Sequence, residues 1–440
     1  MKSNKRRDEN PTAAEDIMLK RVVVTGMGIT SAIGLNIPDF SRSLWEGRSG
    51  IGFLSSLSAS PGTVKIGAEI RDFSFAAALG QAPSSAESIL QKAGRCAQRS
   101  PFTIQASVLA ALEAWESAGL SSADIPPHRL GIIIAGTNLN QRGQYEGHQK
   151  FQQAPEYLNP RYALHFLDTD HAGVLSEILG IQGEGFSVGG ASASGNVGII
   201  NGFRLVQPGR VEACLVVGAL MDLSLLELQG FYNLGALGGR RFNREPDKAC
   251  RPFDKDHEGF IYGQACGSLI LESLESARRR GVPILAEVLG GSLVLDGNHL
   301  SNPGEDGEVR AMTLALDQAK VAPREIDYLN AHGTSSPLGD ETEVRAVRRV
   351  FDDHLSHLWI NATKGLTGHC LCSAGVIECI ATIIQMQQGF MHPNANLDNP
   401  IDPECRWVGR TAVRAGIEIS MSNSFGFGGI NSSIILKKGV

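Results

Sequence analysis

Ser187-Val188-Gly189-Gly190-Ala191-Ser192-Ala193-Ser194-Gly195-Asn196 is a run of small residues centred on one serine, with an apolar helical pattern over residues 197–206 behind it. Such a run predicts a sharp strand–turn–helix elbow, which exposes its central residue and aims helix N–H groups at it. An α/β-hydrolase would use GxSxG here, and position 194 is serine instead of glycine. By itself the run also reads as a close-packed structural turn, so its meaning rests on its surroundings.

Around the elbow, short β-branched runs alternate with helical stretches. Candidate strands are 21–25, 130–135, 214–217, 268–271, 284–289 and 433–436, most of them apolar throughout, as strands covered on both faces are. Residues 102–118 carry Ile104, Val108, Leu109, Leu112 and Trp115 at helical spacing and stop at Gly119. The alternation predicts an α/β architecture with mixed or parallel sheets. The 51 glycines gather in tight turns after strands, and no low-complexity segment divides the chain. The weakest seam is 277–283, where Arg278, Arg279 and Arg280 meet Gly281 and Pro283. A boundary there separates an N-terminal half, 21–280, from a C-terminal half, 281–440. Residues 137–175, with Asn138, Asn140, Gln141 and Arg142, read as a polar, irregular excursion over the surface or the site.

The 440 residues are 42% hydrophobic, enough for a substantial core, and the net charge of −6 gives no general reason to expect nucleic acid or an anionic membrane as partner. Residues 1–20 set Lys5, Arg6 and Arg7 against Asp8 and Glu9 with no apolar run behind them, which predicts a disordered leader and not a secretory signal. No stretch approaches the roughly 18 apolar residues of a membrane span. The eight cysteines form no CxxC pair. The closest cluster, Cys370, Cys372 and Cys379, does not have structural-zinc spacing, so all read as buried thiols of a cytoplasmic protein without a metal.

Four further motifs carry candidate chemistry. Gly26-Met27-Gly28 follows the first strand, but Ser31 stands where a third dinucleotide-loop glycine belongs, so the pair reads as a tight turn and not an NAD site. His332-Gly333-Thr334-Ser335-Ser336 follows a strand expected at 326–329 and leads to the acidic helix start Asp340-Glu341. A histidine at a strand's end can donate into a cleft, although a lone histidine is usually structural. Lys364 and His369 lie in the glycine-rich turn Thr363-Lys364-Gly365-Leu366-Thr367-Gly368-His369, with Glu378 on the following helix able to neutralise Lys364. Ser422-Asn423-Ser424-Phe425-Gly426-Phe427-Gly428-Gly429 reads as a loop between two strands, whose N–H groups could form an oxyanion hole beside phenylalanines lining an apolar tunnel.

Together these motifs, with Cys250-Arg251-Pro252-Phe253-Asp254-Lys255-Asp256 and Glu258-Gly259-Phe260, resemble the β-ketoacyl-acyl carrier protein synthases over nearly the whole chain. The resemblance implies the thiolase fold, two similar αβαβα halves stacked as a five-layered sandwich, normally a homodimer. It implies His332 and His369 as the catalytic histidines, Lys364 and Glu378 as their charged support, and Phe427 as the gate of the acyl tunnel. The N–H group of Phe427, in the loop that also holds Phe425 and Gly428, would complete the oxyanion hole with that of residue 192 at the elbow. Thr334 would contact the phosphopantetheine arm of a carrier protein; Ser336 takes the second hydroxyl position, a mild departure. No separate cofactor is implied. The main departure is Ser192, which stands where the family has its cysteine nucleophile.

A condensing enzyme accepts an acyl chain on a thiolate and separately decarboxylates malonyl-carrier protein. Cysteine starts at a pKa of about 8.5 and falls by several units at a helix N-terminus; a serine hydroxyl is far less acidic. Decarboxylation needs no nucleophile, only donors to the thioester oxygen and a dry pocket. Loss of the thiol with retention of both histidines therefore predicts decarboxylation without condensation. In this the chain resembles the ketosynthase-like malonyl-carrier-protein decarboxylases of polyketide β-branching. The rivals are a serine-dependent acyltransferase or hydrolase, a non-catalytic partner resembling a chain-length factor, and an active condensing enzyme.

Overall fold

Strand β1 (Val22–Ser31), buried along its whole length, lies near the centre of an eleven-stranded sheet. The computed structural model describes residues 19–55, 64–82 and 86–439; the expected leader lies outside them apart from Leu19 and Lys20. After β1 come helix α1 (Phe102–Ser117), strands β2 (Leu130–Ala135) and β3 (Gly185–Val188), helix α2 (Ser194–Val206), and strands β4 (Ala213–Gly218) and β5 (Ala265–Ser273). A second series follows: β6 (Ala286–Leu295), α3 (Glu305–Ala319), β7 (Tyr328–Asn330), α4 (Pro337–Phe351), β8 (Trp359–Asn361), α5 (Ala374–Gln388), β9 (Ile419–Gly426) and β10 (Ile430–Lys438).

The two series share one topology. Outward from the centre the first runs β1-β5-β4-β2-β3 and the second β6-β10-β9-β7-β8, with Arg406–Trp407 on the outer edge. In both, the first two pairings are antiparallel and the next two parallel. Short antiparallel pairing of Val22 with Val288 joins the halves. Helices α2 and α5 touch strands of both halves and form the middle layer, while α1 covers one half outside and α3 with α4 the other. The result is the five-layered α/β sandwich of the thiolase fold.

Burial on both faces explains why the strands read as continuously apolar. In β2, Ile133 joins the core around α2 and α5, whereas Ile132 and Ile134 join the core under α1. In β10, Ile434 faces the middle core and Ile435 the core under α3 and α4. The two middle helices cross at glycine. A Cβ on Gly195 would lie 2.6 Å from Val376 N, and one on Gly375 would lie 2.6 Å from Asn196 N. Any side chain at either position would push the helices apart.

Several sequence expectations are corrected. Residues 137–175 are largely helical, including Gln141–Gln153 and Tyr162–His165 with Thr169–Leu179 running just beyond. The first of these buries no residue, so it carries no apolar stripe from which a helix could be read. Gly26-Met27-Gly28 is no turn, because β1 continues to Ser31. Its glycines let α1 lie against the strand, since Cβ atoms there would meet Ala114 O and Ala110 O at 2.1 and 2.0 Å. Helix α2 starts at Ser194 and not at residue 197, and Ser422 to Gly426 belong to β9 instead of a loop. The strand expected at 284–289 starts later, at Ala286, and the one expected at 326–329 is displaced to Tyr328–Asn330 behind a 3-10 turn.

Candidate active site

Each half carries the same strand–turn–helix joint. A 3-10 turn, Ala191–Ala193, leads into α2, and its counterpart, Leu371–Ser373, leads into α5. The first residue of each turn is left-handed, with φ 47° at Ala191 and 53° at Leu371. Ser192 and Cys372 thus hold equivalent positions in the two halves, and both line one cavity of about 520 Å³. His332, His369, Thr334, Ser336, Phe425 and Phe427 line it too.

His369 follows the single helical turn Lys364–Thr367. Its Nε2 lies 2.8 Å from Ser192 Oγ, and its Nδ1 accepts from the Leu371 N–H at 3.2 Å. An imidazole nitrogen that accepts from a backbone N–H carries no proton, so the neutral ring bears its hydrogen on Nε2. His369 therefore donates to Ser192, whose oxygen accepts. His332 follows the same logic: Lys364 Nζ, an obligate donor, sits 3.4 Å from its Nδ1, which leaves the hydrogen on Nε2. Burial first, and then the Lys364 ammonium, holds both imidazoles well below the ordinary histidine range, and any charge on His369 would further disfavour charge on His332. The rings stand edge to face with centroids 5.7 Å apart.

Lys364, 1% exposed, pairs with Glu378 and donates to the His332 carbonyl at 2.6 Å. Burial pushes the Glu378 carboxyl up to about 7 although the Lys364 charge pulls it down. Among the described residues neither histidine contacts a carboxylate through its ring, so the orienting acid of a serine-hydrolase triad is missing.

The His332 loop is held from below. Glu343 on α4 accepts from the N–H groups of His332 and Gly333 at 2.7 and 2.8 Å. Asp340 accepts from Thr334 and Ser335, and the Phe253 N–H donates to its other oxygen. The Thr334 and Ser336 hydroxyls bond to each other at 2.7 Å. The buried Phe425 ring lies 5.6 Å from His332, whereas Phe427 is 39% exposed and leans on Phe231. Gly428 does not line the cavity; its N–H donates to Leu300 O at 3.2 Å. The Phe427 N–H is not donated to another backbone group among the described residues.

Sequence reasoning missed Glu343, Asp296, Glu308 and Cys372. Glu343 lay in an ordinary acidic helix start, and residues 296–308 contain no chemical motif. Only the duplicated topology reveals that Cys372 matches Ser192.

The profile of the β-ketoacyl synthase N-terminal domain matches residues 19–277, and that of the C-terminal domain matches 285–398. The chain belongs to the β-ketoacyl synthase family. The polyketide biosynthesis malonyl-ACP decarboxylase PksF of Bacillus subtilis (strain 168) is 39% identical over 419 residues, spanning 95% of this chain and 97% of that protein. The 3-oxoacyl-[acyl-carrier-protein] synthase 2 of Synechocystis is 34% identical over 425 residues, spanning 95% and 98%. Among solved structures, the ishigamide ketosynthase/chain length factor superposes with a TM-score of 0.82 at 30% identity, covering 96% of this chain and 99% of that one. A type II polyketide ketosynthase, bound to its acyl-carrier protein and a hexaketide, shares the fold at a TM-score of 0.83 and 24% identity, covering 96% and 100%. No helix among the described residues of this chain is long and apolar enough to cross a membrane. Its eight cysteines are free, seven of them buried.

Proposed function

We propose that this chain decarboxylates malonyl-acyl carrier protein to acetyl-acyl carrier protein in polyketide β-branching, without condensation. The observation that carries this reading is the hydrogen-bond polarity at residue 192: the His369 Nε2–H donates to Ser192 Oγ instead of removing its proton. A base that already carries its proton cannot activate a hydroxyl. The same two Nε2–H groups are suited to a thioester oxygen as negative charge grows on it.

In this mechanism the malonyl thioester oxygen sits between the Nε2–H groups of His332 and His369. The N–H groups of Ser192 and Phe427 complete the oxyanion site. Lys364 fixes the His332 tautomer, and Glu378 compensates the buried ammonium. Phe425 and Phe427 keep water from the departing carboxylate, which weakens its solvation and favours loss of CO₂. Thr334 and Ser336 face the phosphopantetheine arm of the carrier protein, which delivers the substrate; no other cofactor takes part. The protein acts as a cytoplasmic homodimer. The 39% identity to a malonyl-ACP decarboxylase supports this reading over condensation.

The test is to incubate the protein with malonyl-carrier protein and weigh the carrier by mass spectrometry. Loss of the mass of CO₂ is expected. Unchanged malonyl-carrier protein refutes the proposal, and an acyl ester trapped on Ser192 would favour the hydrolase reading.

A further inference from the structure

Loss of CO₂ leaves an enolate whose carbon must take a proton, and the groups assigned so far supply none. Both histidines are neutral and hold only an imidazole N–H, a much weaker acid than a carboxyl group. The Lys364 ammonium is turned onto Glu378 and the His332 carbonyl.

Two carboxyl side chains line the cavity among the described residues, Asp296 and Glu308. Asp296, just past β6, is committed as an acceptor to the Gly304 N–H at 3.1 Å and Asn431 Nδ2 at 2.7 Å. Glu308 differs. It is 1% exposed, and its Oε2 is buried without any hydrogen-bond partner. It stands in the first turn of α3, which reaches the cavity wall because Gly307 has no side chain. A Cβ at Gly307 would lie 1.5 Å from Asp296 Oδ1 and 2.6 Å from Asn431 Nδ2.

The charged groups around Glu308 are Asp296 at the end of β6, Glu343 and Arg345 on α4, and Glu305 on its own helix. Arg345 is directed away, onto Glu305 at 2.9 Å. Burial, with the Glu343 and Asp296 charges next in order, pushes the Glu308 carboxyl well above the usual carboxylate range, which favours its protonated, acid form.

We propose that Glu308 is the general acid that protonates the enolate carbon, an inference that rests on the decarboxylase reading above. The bond from the malonyl α-carbon to its carboxylate breaks, CO₂ leaves, and the electron pair passes to the thioester oxygen as an enolate. The enolate carbon then takes the proton from the Glu308 carboxyl, the thioester carbonyl re-forms, and Glu308 is left as a carboxylate. A proton from solvent restores it. The sum is malonyl thioester carboxylate plus one proton giving acetyl thioester plus CO₂.

The experiment measures kcat and KM for acetyl-carrier protein formation across pH in wild type, Glu308→Gln and Glu308→Asp, with thermal unfolding of each. A positioned general acid contributes about 10²–10⁴ in rate. Glu308→Gln should therefore lose about 10²-fold or more in kcat with little change in KM, and Glu308→Asp should recover part of it. Wild-type kcat should fall as pH rises through the Glu308 pKa, a limb that Glu308→Gln lacks. A folded Glu308→Gln variant losing less than about tenfold overturns the proposal and points to water or the Cys372 thiol as the acid. Absence of the alkaline limb in wild type overturns it without any variant. A wild type that makes no acetyl product instead fails the decarboxylase reading and takes this inference with it.

Discussion

Replacing Ser192 by alanine tests how the histidine donors are used. In the resting site the His369 Nε2–H is engaged by Ser192 Oγ at 2.8 Å. An arriving thioester oxygen must share or displace that contact. A hydrogen bond between neutral groups contributes about 0.5–1.5 kcal/mol net. Removing Oγ leaves the donor free, so the substrate recovers up to that amount. Since about 1.4 kcal/mol is tenfold, Ser192→Ala should leave kcat/KM for malonyl-carrier protein between unchanged and about tenfold higher. Initial rates of acetyl-carrier protein formation, quantified by mass spectrometry with protein concentration checked by active folding, give this ratio. A nucleophilic serine predicts the reverse, because alanine would remove the attacking atom and with it nearly all turnover. A loss greater than about tenfold refutes the donor-only account of this residue. Ser192→Cys is the companion variant. A thiol at this position, where the α2 N-terminus lowers its pKa from about 8.5, should become acylated by an acyl-carrier protein, read as an added acyl mass on the protein.

The other predictions concern the groups behind the donors and the buried titratable residues. Alanine at either His332 or His369 should lower kcat by about 10²–10³ with a small change in KM; steady-state rates decide, and a loss below about tenfold removes that histidine from the oxyanion site. Lys364→Met leaves Glu378 buried without its cation and should cost about 3–5 kcal/mol in denaturant unfolding. Adding Glu378→Gln should restore most of the stability while kcat stays low, because nothing then fixes the His332 tautomer. Burial holds His171 at about 3 and His392 at about 4, against an ordinary 6.5. Their folded pKa values are depressed, so this stabilisation is complete above 6.5 and drains away as pH falls to about 4. Glu113 and Glu343, raised to about 7 by burial, act oppositely between about 7 and 4.5, gaining stability as pH falls. Tm should therefore be nearly level over the shared window, and His392→Gln should make Tm rise as pH falls from 6.5 to about 4.5, because the opposing histidine contribution is reduced; an unchanged profile in that window would contradict the assignment.

How much of this could be read from the chain depended on the kind of signal. Strands buried on both faces, such as Leu130–Ala135, announce themselves as unbroken apolar runs, and their positions agree with the observed elements. The elbow around Ser192 was legible because close packing against α5 demands small residues there. The polar helix Gln141–Gln153 was not, since it buries nothing and leaves no apolar period. Within the site, His332 and His369 stood out through their glycine-rich contexts. Their tautomers did not, because these depend on the Leu371 N–H and Lys364 Nζ reaching the rings in space. Glu308 was invisible for a related reason: a glutamate in a helical first turn is normally a solvated, dipole-stabilising residue. Only the wall formed by Asp296, Asn431 and α4 turns it into an enclosed acid.

The glycine crossing of α2 and α5 separates where atoms are held from what they do. Gly195 and Gly375 lock the two joints together through backbone contact, so the side chain at 192 can change without shifting either imidazole. A descendant of a two-step catalyst can therefore arise by subtraction, losing one half-reaction while the machinery of the other stays in register. The same independence means that a sulfur atom placed at this one position should leave the backbone unchanged.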